Sequence, residues 1–405
     1  MKNIFLCIML KYNNTKMSDA MEIMNLLSDE QYESSIHDYT DSQLEYITDY
    51  NNSSYSSGSI FFDTQPCLSK WVVWKDAFLQ IPVNITSSGT AYSAASLAAW
   101  KSSVLSFISG VIIATSSGQT IVSDSNISII NNLRLLIEKE FEWDLEESHL
   151  LMFSKDFLTT PSSTTMGGTA CTNTSTTNGG FLSRIQKLKQ QASGTTTWSM
   201  VLSIPLRYVH DFFDKLDFPM INNRFQLTFQ VQAYSNTVLS PFTVDSVGPV
   251  PPPVITIGPA SSNGLMLSNC RLYYRSVKFQ PSLNQRLVEK LNSGYTKKVF
   301  YRVTDTYTPS AGETNVTTGS INRLVSASTV HPLRVWLLAP PTGGLSTAGS
   351  DTVNGTFTFP GAFTNANIMI NNANYYQNSL NTVAEFWTIL EDQFPGAGSR
   401  VVKVA

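Results

Sequence analysis

Four histidines, four cysteines and a few close pairs of acids are the residues of this 405-residue chain best suited to chemistry. His37, His149, His210 and His331 stand far apart. A metal centre would need the fold to gather them, and His210, in a Phe-rich helical stretch, reads more simply as a packed or partly exposed histidine. Cys7, Cys67, Cys171 and Cys270 contain no C-x-x-C pair, so they read as reduced thiols in an intracellular setting, not as a disulfide framework or zinc site. Glu138/Glu140 and Glu146/Glu147 could supply a general acid and base, but on a helix and its end they are most simply solvated. G-x-S-x-G, H-E-x-x-H and the phosphate-binding GxxxxGK[ST] are all absent. No catalytic, cofactor-binding or metal-ligating residue is therefore assigned, no cofactor is expected, and the chain is not expected to be an enzyme.

Two further groups could bind rather than catalyse. The basic helix RIQKLK, Arg184 to Lys189, could meet genome phosphates or an acidic segment, although a solvated helix face is the simpler reading. Tyr273, Tyr274, Tyr375 and Tyr376 could stack on sugars, as in a lectin-like sandwich, against the commoner use of such rings in core or interface packing.

The elements that would position these residues are strands. From Thr195 to Ser235, Trp198, Met200, Leu202 and Ile204 alternate with smaller or polar neighbours, a period of two. Leu206, Val209, Phe213 and Leu216 then fall at helical spacing until Pro219, and Phe225, Leu227, Phe229 and Val231 alternate again. Upstream, Trp71 to Ile85 predicts a long strand with a bend near Pro82. VIIATSSGQTIV, residues 111–122, predicts a hairpin, and Leu133, Leu136, Ile137 and Phe141 an amphipathic helix. Residues 91–110 fit helix or strand equally, and 159–180 read as a long Thr/Ser/Gly loop.

Composition agrees with a β-rich protein. Charged residues are 14% of the chain, against about 25% in an average soluble domain, and Ser, Thr and Asn take their place. The formal net charge of −3 hides an asymmetry: residues 17–59 hold nine acids and no Lys or Arg, leaving the rest at +6. That is a weak electrostatic argument for nucleic acid. The run IFLCIML, Ile4 to Leu10, is too short to span a bilayer and lacks a small-residue cleavage site after it. It reads as an untidy amino terminus or an upstream start, with Met17 the alternative initiator. Eight Asn-x-Ser/Thr sequons follow from composition alone.

These features divide the chain into an acidic flexible arm (1–59), a first sandwich (60–239), a Pro-rich linker (240–260) and a second sandwich (261–405). In the second, residues 265–283, 297–308 and 328–340 predict strands. Its order of parts repeats the first: a hairpin near Ile368 is followed by an amphipathic helix, TVAEFWTILEDQF. After that helix only 11 residues remain, against 94 between Phe141 and Ser235, so the second sandwich is expected to lack its last strands. Either the chain is a fragment or a disrupted, endogenised copy, or the second unit closes differently.

The strings NNLRLLIEKEF, NGGFLSRIQKL, WSMVLSIPLRYVHDFFDKLDFPMINNRFQLTFQV and NIMINNANYYQNSLNTVAEFW resemble double jelly-roll major capsid proteins, in particular those of polintons, polinton-like viruses and virophages. The resemblance covers roughly residues 60–395. It implies an all-β protein with short helices, built as two consecutive jelly rolls. It implies homotrimers that act as pseudo-hexameric capsomers of an icosahedral shell, and hence a place in the virion and in the host cell during assembly. The implied partners are other copies of the chain, neighbouring capsomers, a penton or minor capsid protein and, weakly or indirectly, packaged DNA, with no membrane span. The alternative is a non-viral, lectin-like β-sandwich binding protein.

Overall fold

The computed structural model describes residues 6–7, 39–51, 58–87, 97–100, 102–125, 127–139, 143, 146–155, 179–191, 197–231, 242–245, 253–262, 265–294, 298–304, 336–337, 365–370, 373–382, 384–385 and 388–389. Nine strands form two antiparallel sheets: β1 Tyr39–Thr48, β2 Ser59–Asp63, β3 Trp71–Ser87, β4 Ile108–Thr115, β5 Thr120–Ser125, β6 Thr197–Pro205, β7 Phe225–Val231, β8 Pro253–Ile257 and β9 Arg271–Phe279. One sheet runs β1-β9-β3-β6, with β8 pairing the far half of β3 beside β9. The other runs β2-β7-β4-β5. With β8 set aside, the first sheet joins the first, last, third and sixth strands, and the second joins the remaining four. That order is a complete eight-stranded jelly roll.

The alternation read from the sequence is what fills the sandwich. Met200, Leu202 and Ile204 of β6 face Phe225, Leu227 and Phe229 of β7 across the core, all buried. Phe62 meets Phe229 edge-on at 6.2 Å, and Trp74 meets Phe225 at 5.6 Å. Along β3 the inward set changes phase, from Val72 and Trp74 to Ala77, Leu79, Ile81, Val83 and Ile85. The irregularity lies where the register with β9 jumps between Tyr273 and Arg275, not at Pro82. Pro82 keeps its place opposite Val201, and on the other side its carbonyl accepts the Gly258 N–H at 3.2 Å. There the pairing with β9 stops at Gln80 and the pairing with β8 starts at Val83, so the N–H that proline lacks would face the junction between partners.

The hairpin is β4–β5, turning through Gly118 at φ +83°. Helix α1, Ile127–Glu138, follows, and α2, Gly179–Gln191, precedes β6. The helix expected after Leu206 is two short turns, α3 Leu206–Val209 and α4 Asp211–Asp214. They are broken at His210, whose extended backbone lets its ring cap the second turn.

Three placements correct the sequence expectation. The acidic segment expected to be a flexible arm supplies β1, a ten-residue strand paired along its length with β9. Residues 271–279, read as opening a second unit, lie between β1 and β3 as the closing strand of this roll. The Pro-rich stretch read as a linker contains two paired strands, Phe242–Asp245 against Leu97–Trp100 and β8 against β3. After β9 comes α5, Pro281–Asn292. Leu6–Cys7 pairs with Trp336–Leu337, and Met369–Ile370 forms the expected hairpin with Ala373–Asn374. Thr382 and Glu385 cap each other's backbone N–H at the start of the expected late helix. The loop at 159–178, most of 305–364 and the residues after 389 lie outside the described residues, and so do the greater part of the second unit and its ending.

Cys67 and Cys270 are buried thiols outside any disulfide, and burial pushes the Cys67 thiol up to about 11. Both are expected to stay unmodified by a thiol reagent in the native protein and to react fully in denaturant, read by mass spectrometry. Rapid native labelling of either would contradict their place in the core.

Candidate functional site

The densest gathering of ionisable residues lies where the segment 298–304 crosses the jelly roll. The Tyr301 ring meets Phe212 edge-on at 5.3 Å and His210 at 6.1 Å, and its hydroxyl donates to the Ile121 carbonyl at 2.9 Å. Beside it, Arg302 donates to Asp211 three times: backbone N–H and Nε to Oδ2 at 3.1 and 3.2 Å, and Nη2 to Oδ1 at 3.1 Å. Its Nη1 reaches Glu138 Oε1 at 3.0 Å. Arg134, one turn before Glu138 on α1, closes the ring by donating to Asp211 Oδ1 at 3.0 Å and Glu138 Oε2 at 3.2 Å. Two guanidinium groups and two carboxylates thus balance. Burial opposes the ionisation of Asp211, but the bonds and charge of Arg302, then the charge of Arg134, outweigh it and hold the carboxyl well below its usual range.

His210 and Asp124 continue the cluster. The imidazole Nδ1 accepts the Phe212 N–H at 3.0 Å, which places the proton on Nε2, 3.1 Å from Asp124 Oδ2. That same oxygen accepts the Thr304 N–H at 3.0 Å. A buried His–Asp pair invites a catalytic reading, but both ring nitrogens are occupied and the ring is 4% exposed. No nitrogen is left to take a proton from a substrate. The cluster clamps 298–304 against α1, α4 and β5; its work is positioning.

A second group lies beside it. Glu147 accepts from the Tyr208 hydroxyl and, at 2.8 Å, from Arg207; the Trp143 indole donates to the Tyr208 oxygen at 2.8 Å. Glu147 stays below its usual range because these bonds and the Arg207 charge outweigh its burial. Glu138 and Glu147, read as solvated, are therefore ion-paired; Glu146 is exposed, and Glu140 lies outside the described residues.

The basic helix also departs from expectation. Arg184 and Lys187 of α2 are buried: Arg184 donates to the Ser154 carbonyl, and Lys187 to the Phe153 carbonyl and to Ser148 Oγ at 3.1 Å. They hold the segment 148–154, and Lys189 keeps the exposed face. Of the four tyrosines, Tyr274 is core, Tyr273 lies flat on Phe78 at 4.9 Å, and Tyr375 and Tyr376 stack edge-on at 5.0 Å. His149 is exposed, while His37 and His331 lie outside the described residues. Among the described residues no three His, Cys, Asp or Glu gather as metal ligands, and no helix is long and apolar enough to cross a membrane.

Fold and site together define a jelly roll whose interior is filled by its own side chains and whose ionic residues act as ties. No protein-family model matches the chain, and no curated protein does. Among solved structures it is similar to a chain of the Sputnik virophage determined by cryo-EM, at 11% identity over 67% of this chain and 52% of that one, with a TM-score of 0.38. It is also similar to the mavirus major capsid protein, at 11% identity over 67% and 53% (TM-score 0.34), and to the Faustovirus major capsid protein, at 11% over 66% and 60% (TM-score 0.33). The chain spans between half and two thirds of the length of these structures.

Proposed function

We propose that the chain is a structural capsid protein that forms trimeric, pseudo-hexameric capsomers of an icosahedral shell. One observation carries this reading. Three of the strings that resemble double jelly-roll capsid proteins form α1, α2 and β6–β7, so the resemblance falls on the framework of one closed, packed roll. A shell subunit needs a rigid wall and broad lateral surfaces rather than a ligand cavity, and a filled sandwich interior supplies the wall. The tie at Asp211 supports a second body fastened to the first, as a two-roll subunit requires. A penton partner belongs to the same proposal. With Arg184 and Lys187 turned inward, contact between α2 and packaged DNA would be indirect.

Light scattering of the purified chain after gel filtration tests the reading. The expected species has three times the 44.8 kDa chain mass and appears as hexagonal particles in negative stain. A stable monomer that binds glycans would overturn it in favour of a lectin-like module.

A further inference from the structure

Strand β1 lies at the rim of its sheet, paired with β9 on one side; among the described residues no strand pairs with the other. A free edge exposes a row of unpaired N–H and C=O groups, and proteins usually guard it with lysine, proline or shortness. This one has ten residues, YTDSQLEYIT, without Lys, Arg or Pro. Its exposed outer face carries Leu44, 54% exposed, and Tyr46, 50% exposed. The Tyr46 ring lies 5.4 Å from that of Tyr273, with the Arg271 guanidinium 4.6 Å from its centre. An aromatic row from Phe78 through Tyr273 to Tyr46 thus reaches the rim. The two acids of β1 do not defend it by charge, because Asp41 is bonded by Lys278 at 3.3 Å and Glu45 by Lys70.

We infer that β1 pairs antiparallel with β1 of a second copy, joining the two sheets across a two-fold axis. Resting on the shell reading, this pairing is the contact between capsomers rather than within one. Directly opposite residues of an antiparallel pair share a face, so the axis must pass through a residue rather than between two. Centring on Gln43 sets Asp41 against Glu45, and centring on Glu45 sets that carboxylate against itself. Centring on Tyr46 shortens the overlap to 44–48. Centring on Leu44 uses nearly the whole strand, opposes Leu44 with Leu44 and Ser42 with Tyr46, and leaves no acid opposite an acid.

The register is tested by single cysteines in a Cys7→Ser/Cys171→Ser background under mild oxidation. Opposed Cα atoms about 4.5–5.5 Å apart fall within disulfide reach. Leu44→Cys is expected to give a linked species of twice the chain mass, Ser42→Cys none, and Ser42→Cys/Tyr46→Cys a linked species again. Leu44→Asp is expected to leave trimers intact and abolish shells. Failure of Leu44→Cys to link in preparations that form trimers and shells would overturn the edge pairing and leave the shell reading standing. Equal linking at positions 42 and 44 would overturn it as random collision. Efficient linking at 44 in a protein that forms no trimer would sink the shell reading and keep the pairing.

Discussion

Replacing Asp211 by Asn is expected to lower folding stability by about 3–5 kcal/mol, the usual cost of removing one partner from a buried ion pair. The side chain is 2% exposed and meets both Arg134 and Arg302, so the amide would leave two guanidinium groups facing one carboxylate, Glu138. Denaturant unfolding of the two proteins measures the loss, and a difference below about 1 kcal/mol would show that the ring is not a tie. The same variant should become easier to cleave after residue 304, because it weakens the three bonds by which Arg302 ties that segment to Asp211 and leaves the bonds to Glu138, Asp124 and Ile121 to hold it. The pH dependence has a definite sign. The folded carboxyl titrates below its unfolded value, so its contribution is complete above about pH 4 and is lost as the pH falls further. Stability of the natural protein should therefore fall more steeply in acid than that of the Asn variant.

Trp74→Ala is the second large effect, again about 3–5 kcal/mol. Trp74 is a fully enclosed side chain between the sheets, edge-on to Phe225 at 5.6 Å and tilted against Tyr274 at 6.3 Å. It sits where β3 changes phase, so the backbone around it is held by the irregular register with β9 and cannot easily collapse into the space. A lowered thermal midpoint with unchanged far-ultraviolet dichroism is the expected signature. A loss under about 1 kcal/mol would mean that the two sheets close over the gap.

Much of this fold was legible one residue at a time. The alternation of Trp198 to Ile204 and of Phe225 to Val231, the hairpin read at 111–122 and the helical spacing of Leu133, Leu136 and Ile137 all fall in the elements that their patterns predict. A further signal was present and passed over. Arg184 and Lys187 share the helix face of Phe181, Ile185 and Leu188, a spacing that places their stems in the core whatever their charge. By contrast, β1 carries Asp41, Gln43 and Glu45 on the side that packs or lies at the rim, and its composition matches a solvated arm. Nothing local distinguishes such a strand; it is a strand because β9 lies beside it.

The candidate site was the least legible part. Asp211 and Arg302 are 91 residues apart, Asp124 and His210 are 86 apart, and Arg134 and Asp211 are 77 apart. Each is unremarkable in its own neighbourhood. The sequence by itself determined the strands at 197–205 and 225–231, because alternation is a property of consecutive residues and of water; the same alternation predicted a strand at 297–308, where the described residues 298–304 form none. Only the tertiary structure decided that 271–279 closes the first roll and that Asp211 is an anchor. Strand partners and the cost of burying a charge depend on what lies across the gap, and no local pattern carries that information.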